Sequence, residues 1–288
     1  MKDFSKYLRH SKIIILGDPL VDNYIWVKTK KISRESPSIV FEYVKNDFRP
    51  GGALNVANNI DSLQAKGKVV YAKGKAFSIN NRIVSDNKLL FRYDEPSVII
   101  KLKNKDIDQN ISIMKTYYDE GYKTIIISDY GHGNITSYLI KELVKFANHN
   151  SQLNLIIDPY TNHSRWYGSK LKSKYKNIIL TPNEEEYNAG CNGGDYTIVT
   201  MGSKGLCIKE KGKKDLIIPS IRKEVADVTG AGDTVIALLA LCIDRGIGIN
   251  DAAKVANEGA SIVVSKFGTS ALTPEEFKNA ISKALSKR

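Results

Sequence analysis

Apolar positions along the chain follow two rhythms. Short unbroken runs, Lys12 to Leu16, Thr124 to Ile127, Leu153 to Ile157, Ile178 to Leu180 and Thr197 to Thr200, each stop at a polar or glycine step. The steps are Gly17-Asp18, Ser128-Asp129, Asp158-Pro159, Thr181-Pro182-Asn183 and Met201-Gly202. Runs of that length, apolar on both faces, read as strands buried inside a parallel sheet. Ala53 to Leu63, Asp106 to Tyr118, Ile135 to Ala147, Gly232 to Arg245, Asn250 to Lys266 and Pro274 to Lys287 instead repeat their apolar residues at helical spacing. Two further β segments are predicted around Lys68 to Tyr71 and Lys88 to Arg92. Strand, polar loop and helix in repetition predict an α/β fold with a mostly parallel central sheet. In such sheets ligands gather at the carboxyl ends of the strands.

From Tyr24 to Val44 the pattern loosens and is broken by Pro37, which predicts short, partly exposed strands. Pro50-Gly51-Gly52 reads as a turn. Segments from about 20–50 and 80–100 are expected to form a small flap on a single domain spanning 1–288.

Composition narrows the class. At 288 residues, 42% hydrophobic and 26% charged, the chain is neither collagenous, mucin-like nor disordered. The net charge is +12, but the lysines are scattered, so a solvated surface accounts for them first and small phosphorylated ligands second. Neither nucleic acid nor a membrane is an expected partner. Cys191, Cys207, Cys242 and the four histidines are dispersed, which supports neither a disulfide framework nor a zinc site. No apolar run reaches ~18 residues and the start of the chain has no secretory core, so a cytoplasmic protein is expected.

The stretch that carries chemistry is Asp227-Val228-Thr229-Gly230-Ala231-Gly232-Asp233, followed by the wholly apolar Val235 to Leu241. A helix apolar on every face is buried, so its N-terminus opens inside the protein. Gly230-Ala231-Gly232 leaves backbone N–H groups unobstructed there, and with the helix dipole they suit an anion such as a transferring phosphoryl group. Asp233 reads either as an N-cap or as a base accepting a proton from a substrate hydroxyl. No Gly-x-x-x-x-Gly-Lys-Ser/Thr motif is present, which argues against a P-loop kinase.

These residues resemble the C-terminal signature of the ribokinase-type (PfkB) carbohydrate kinases, and Gly51-Gly52-Ala53-Leu54-Asn55-Val56-Ala57 resembles the N-terminal one. Gly17-Asp18-Pro19-Leu20-Val21-Asp22, Thr181-Pro182-Asn183-Glu184-Glu185-Glu186 and Thr200-Met201-Gly202-Ser203-Lys204-Gly205 fit in the same order. Within that family, Ile32-Ser33-Arg34-Glu35-Ser36-Pro37, Arg49-Pro50-Gly51-Gly52, Ser128-Asp129-Tyr130 and Phe267-Gly268-Thr269-Ser270 are similar to the kinase domain of bifunctional enzymes that make ADP-heptose for lipopolysaccharide. That domain phosphorylates O1 of D-glycero-D-manno-heptose 7-phosphate with ATP. The nucleotidyltransferase domain that often follows it is not expected in a chain ending at Arg288.

The resemblance implies a ribokinase-like three-layer sandwich, ATP and Mg²⁺ as cofactors, and a homodimer paired through its flap strands. It implies that Asp233 is the base and that Gly230, Ala231 and Gly232 form the anion hole. It places Asp18, Asp22, Gly51, Gly52, Asn55 and Asp129 at the sugar, with Arg49, Arg82 and Arg92 as readers of its phosphate. Asn183, Thr200, Gly202, Gly205, Asn257 and Gly268 fall on the nucleotide, the 267–270 loop bordering adenine. Asn183 and Glu186 would organise Mg²⁺, and Asp227 a monovalent cation.

The sequence departs from that pattern in four places. Leu63 to Arg82 is short by about one βα unit, and the segment after Asn183 is contracted. His132 and Tyr160 stand where lysines are expected. A kinase for another sugar or a nucleoside, and a catalytically weak binding protein keeping the fold, therefore stand as alternatives.

Overall fold

The computed structural model describes residues 8–71, 78–95, 101–168, 171–221 and 224–286. The predicted end of the flap at 96–100 and the last residue of the predicted C-terminal helix, Lys287, lie outside them.

The apolar runs become a sheet of eight strands. In chain order they are β1 (Lys12–Gly17), β4 (Lys66–Val70), β7 (Thr124–Ser128), β8 (Asn154–Asp158), β9 (Ile178–Leu180), β10 (Tyr196–Thr200), β11 (Leu206–Glu210) and β12 (Leu216–Ile218). Their spatial order is β12-β11-β10-β9-β8-β7-β1-β4. The pairs from β10 through to β4 are parallel, and β11 and β12 close the far edge antiparallel.

Alternate residues of each central strand face opposite layers. Ile13, Ile15, Ile126 and Ile156 pack against one cluster with residues of α1 (Ala53–Ser62), α5 (Ala231–Asp244), α6 (Ile249–Val263) and α7 (Pro274–Ser286). Ile14, Leu16, Ile125 and Ile157 pack with α2 (Asn104–Asp119) and α3 (Ser137–His149). A short α4 (Glu184–Asn188) follows β9. The result is the expected three-layer sandwich. Among the described residues no helix is long and apolar enough to cross a membrane.

The flap differs from its expectation. β2 (Pro19–Ile32) and β3 (Ile39–Gly52) form one long antiparallel hairpin, paired from Pro19↔Gly52 to Ile32↔Ile39 with register shifts at Trp26/Val27 and Thr29/Lys31, and with Pro37 in the connection. Pro50-Gly51-Gly52 is therefore the last stretch of a strand rather than a free turn. β5 (Ser78–Ser85), at the start of the flap segment expected at about 80–100, and β6 (Lys88–Asp94) complete a four-stranded sheet in the order β3-β2-β5-β6. This sheet projects from the carboxyl end of β1 and overhangs the N-terminus of α5. Gly52 makes the junction: its φ of 54° turns the chain into α1, and a Cβ there would lie 2.6 Å from the Asp18 carbonyl.

Candidate active site

Between flap and sandwich lies a cleft of about 470 Å³, lined among others by Asp22, Arg82, Arg92, Tyr130, Gly230 and Asp233. Asp233 belongs to the first turn of α5, a helix buried over most of its length. Its carboxylate accepts from Asn55 Nδ2 at 2.7 Å and from the Tyr130 hydroxyl at 2.9 Å. Burial outweighs these two donors and pushes its pKa up to about 6. Burial and the adjoining Asp233 carboxylate in turn push the Tyr130 phenol well above its ordinary value, which keeps it a donor.

The glycine turn is built as its residues require. Gly230 has φ 77°, and a Cβ there would meet Asn55 Nδ2 at 2.6 Å, so only glycine fits against the Asn55–Asp233 bond. Gly232 has open space around its Cα. Ala231 N–H is committed to the Val228 carbonyl at 3.2 Å, so of the three expected anion-hole amides it is the one already engaged. Among the described residues the Gly230, Gly232 and Asp233 amides have no backbone partner.

Several expected ligand contacts turn out to hold the protein together instead. Asp18 takes Tyr130 N–H (2.9 Å) and His132 N–H (3.1 Å) on one oxygen, and Asn134 N–H and Nδ2 (both 3.0 Å) on the other. A carboxylate has about four acceptor sites, so Asp18 has none left for a sugar. Asn55, expected at a sugar hydroxyl, gives its amide to Asp233. Asp129 faces away from the cleft and accepts from Gly131 N–H, His163 Nδ1 and the Tyr167 hydroxyl. Arg49 likewise turns away, its guanidinium donating to Asp47 and to the carbonyls of Phe267 (2.9 Å) and Thr269 (3.3 Å). Gly51 lies under Asp22, where a Cβ would come within 3.1 Å of Oδ2.

Of the expected substrate residues the cleft does collect Asp22, Gly52, Arg82 and Arg92. Asp22 Oδ1 takes Arg82 Nε at 3.2 Å and Asn80 Nδ2 at 3.1 Å. Arg92 is paired with Asp94 and Asn80. Tyr130 and Asn80, which carry no expected role, also line the cleft, as does Thr269. Thr269 was expected near adenine as part of its loop. It stands beside Gly230 instead, its Oγ1 buried and without a hydrogen-bond partner among the described residues.

Of the expected nucleotide and metal residues, Asn183, Glu186, Thr200 and Gly202 gather as a second group at the ends of β9 and β10, outside the cleft lining, whereas Gly268 lies against Arg49 and Tyr24. Asn183 and Thr200 are bridged, and Thr200 N–H donates to the Pro182 carbonyl at 2.8 Å. Gly202 is open on its Cα side, whereas Gly205 is pressed against the Ile218 carbonyl. Asn257 reaches the Pro219 carbonyl at 2.9 Å. Asn183 and Glu186 cap α4 reciprocally, each at 2.8 Å from the other's amide. Burial lifts the Glu186 carboxyl to about 7, and burial, then Glu186, then Asp233, lifts Asp158 well above its ordinary value. Asp158 thus links the two groups electrostatically. Asp227 accepts from Thr229 N–H (2.9 Å) and Gly268 N–H (3.1 Å), tying the glycine turn to the 267–270 loop.

Residues 166–276 match the model of the pfkB family carbohydrate kinases. The chain is 33% identical over 93% of its length to the bifunctional protein HldE of Campylobacter jejuni serotype O:6, and 30% identical over 98% to that of Haemophilus influenzae. It spans 64% and 66% of those proteins, less than two thirds. Among solved structures, Escherichia coli phosphofructokinase-2 in complex with potassium superposes with a TM-score of 0.71 at 14% identity, covering 96% of this chain and 99% of its own. Arabidopsis thaliana ribokinase complexed with ribose and ATP gives 0.61 at 14%, covering 97% and 100%. At such identities the superpositions speak for the fold alone.

Proposed function

The chain belongs to the pfkB family of carbohydrate kinases, and on that premise we propose that it transfers the γ-phosphoryl group of ATP to O1 of D-glycero-D-manno-heptose 7-phosphate or a related sugar phosphate. The observation that carries the reading is the Asp233 carboxylate, held by Asn55 and Tyr130 at a cleft wall and at the start of a buried helix. Asp233 accepts the hydroxyl proton as the sugar oxygen bonds to phosphorus, and the bond from phosphorus to the β–γ bridging oxygen breaks to release ADP. The free amides of the turn stabilise charge on the phosphoryl oxygens. Asp22, Asn80 and Thr269 line the cleft on the acceptor's side.

A hydrated Mg²⁺ fits the second group. Glu186 and Asp158 set two carboxyl groups near each other with no ion-pair partner among the described residues, and no trio of ligating side chains is set there to bind a bare ion. They would hold it through its water shell together with Asn183, and the ion supplies neutralisation of phosphate charge.

Arg82 and Arg92 are the arginines that reach the cleft, and Arg92 is the more accessible reader for the acceptor's existing phosphate. With ATP and a panel of sugar phosphates, turnover is expected for a sugar 7-phosphate with a free anomeric hydroxyl. Arg92→Ala should raise KM for it about 10-fold or more, leaving KM for the unphosphorylated sugar within about 2-fold. Equal effects on both acceptors would remove this role, and no turnover across the panel would refute the kinase reading.

A second copy of the chain is the proposed cover for the flap. β3 and β6 are its open edges, and Ile39, Tyr43, Phe48, Phe91 and Tyr93 lie exposed along them. Edges of this kind invite strand pairing. Sedimentation velocity should report a dimer, and Tyr43→Asp combined with Phe48→Asp should convert it to monomer. A monomeric wild type would dismiss the assignment.

A further inference from the structure

Arg49 and Tyr24 sit where the flap grips the loop that carries the phosphoryl turn. Tyr24, on β2, is fully buried. Its hydroxyl accepts from Thr269 N–H at 2.9 Å, and its ring packs edge-on to Phe267 at 5.8 Å. Arg49, on β3, lies over the same ring at 4.9 Å and donates one nitrogen to both the Phe267 and Thr269 carbonyls. Asp47 fixes the remaining edge of the guanidinium at 2.8–3.0 Å. A Cβ on Gly268 would come within 2.6 Å of Arg49 and 2.9 Å of Tyr24, so the loop is closed tightly onto the pair.

What this grip holds lies one bond further on. Gly268 N–H donates to Asp227, whose other oxygen takes Thr229 N–H, and Gly230 follows directly. The guanidinium of Arg82 also lies by the Tyr24 ring, at 5.8 Å, and it lines the cleft and bonds Asp22. A continuous path of hydrogen bonds and ring contacts therefore runs from the cleft arginine, through Tyr24 and Arg49, to the turn that begins α5.

We propose that Tyr24 and Arg49 are positioning residues that key the phosphoryl-transfer turn to the flap, so that the turn takes its working geometry only while the flap is seated. Neither touches the reacting atoms. The inference rests on the kinase reading for its consequence, but the mechanical link stands on the protein alone. A misplacement of the turn by about 1 Å is enough to cost on the order of 10²-fold in rate.

The test uses the full chain with Tyr24→Phe, Arg49→Ala, Arg49→Lys and the Tyr24→Phe/Arg49→Ala double variant. Hydrogen exchange on the ligand-free protein reads the link. Within 227–234 and 267–270, the hydrogen-bonded amides of Thr229, Ala231, Thr234, Gly268 and Thr269 should lose protection in each variant while those of β7 and β8 keep theirs. Kinetics read the consequence. Each single change should lower kcat about 10-fold or more with acceptor KM within about 2-fold, and the double variant should fall short of the product of the two. Unaltered exchange in 227–234, or an unaltered kcat in an active enzyme, would overturn the proposal. So would a rise in KM confined to phosphorylated acceptors, which would make Arg49 a phosphate reader. If Arg49→Ala fails to fold, Arg49→Lys gives the same readouts. If the wild type turns over no sugar, the kinase reading fails while exchange still decides the link.

Discussion

Asp233→Asn should abolish most turnover and at the same time make the protein more stable at neutral pH. General-base assistance is worth about 10²–10⁴-fold, and kcat is expected to fall by that much with little change in KM. The stability gain follows from the same burial. The carboxyl titrates at about 6 in the folded chain against an ordinary value of 3.8. Because the folded state holds the proton more tightly, the contribution of Asp233 to stability is greatest in acid and declines as pH rises towards and through 6. The total decline is about 3 kcal/mol. A carboxamide carries no such cost and still accepts from Asn55. Above pH 7 the variant should gain about 1–3 kcal/mol, visible as a melting temperature a few degrees higher. Activity in the wild type should follow the opposite course, with kcat/KM rising from the acid side and levelling off above an apparent pKa near 6. Tyr130→Phe, which removes a donor to the carboxylate, should move that limb upward. An active Asp233→Asn, or a pH profile flat from 5 to 8, would exclude the base assignment.

Asp233 was legible because everything that defines it is contiguous: a small-residue turn, a carboxylate and a helix apolar on all sides. The sheet was legible for a similar reason, since fully buried strands need no partner information to be seen. The flap was harder. Its strands expose one face, and β5 buries Asn81 and Arg82 against partners such as Asn23 and Asp22 that lie about sixty residues away. A local pattern can mark such a segment as flap but does not report its partners. The same limit explains Asp18, Asn55 and Arg49. Their residue types suit a sugar phosphate, but what a carboxylate or guanidinium does depends on which distant loop arrives beside it. Tyr130 was overlooked for the converse reason, a tyrosine after a buried strand being ordinary core material until its hydroxyl is found on Asp233.

Asp18→Ala should be the most destabilising single change in the cleft region, with activity lost through a residue that has no room for substrate. Four donors converge on this fully buried carboxylate, three of them backbone amides of one loop. Hydrogen bonds to a charged group contribute about 1.5–3 kcal/mol each, and removing the acceptor leaves the amides unpaired where water has little access. The loop has few ways to adapt, because Gly131 and Gly133 already place it in the left-handed region at φ 75° and 96°. We expect a loss of about 3–5 kcal/mol in urea or thermal unfolding. Asp18→Asn should lie between the variant and wild type, since an amide satisfies one side of the loop and repels the other. Both changes release Tyr130, so the acid limb of kcat/KM should move upward in whatever folded protein remains, as in Tyr130→Phe. A sugar ligand at this position would behave differently, raising acceptor KM while leaving stability and the pH profile in place. The Asp18→Asn variant separates the two, because it preserves shape and hydrogen-bonding reach to a sugar but cannot satisfy four inward-pointing N–H groups.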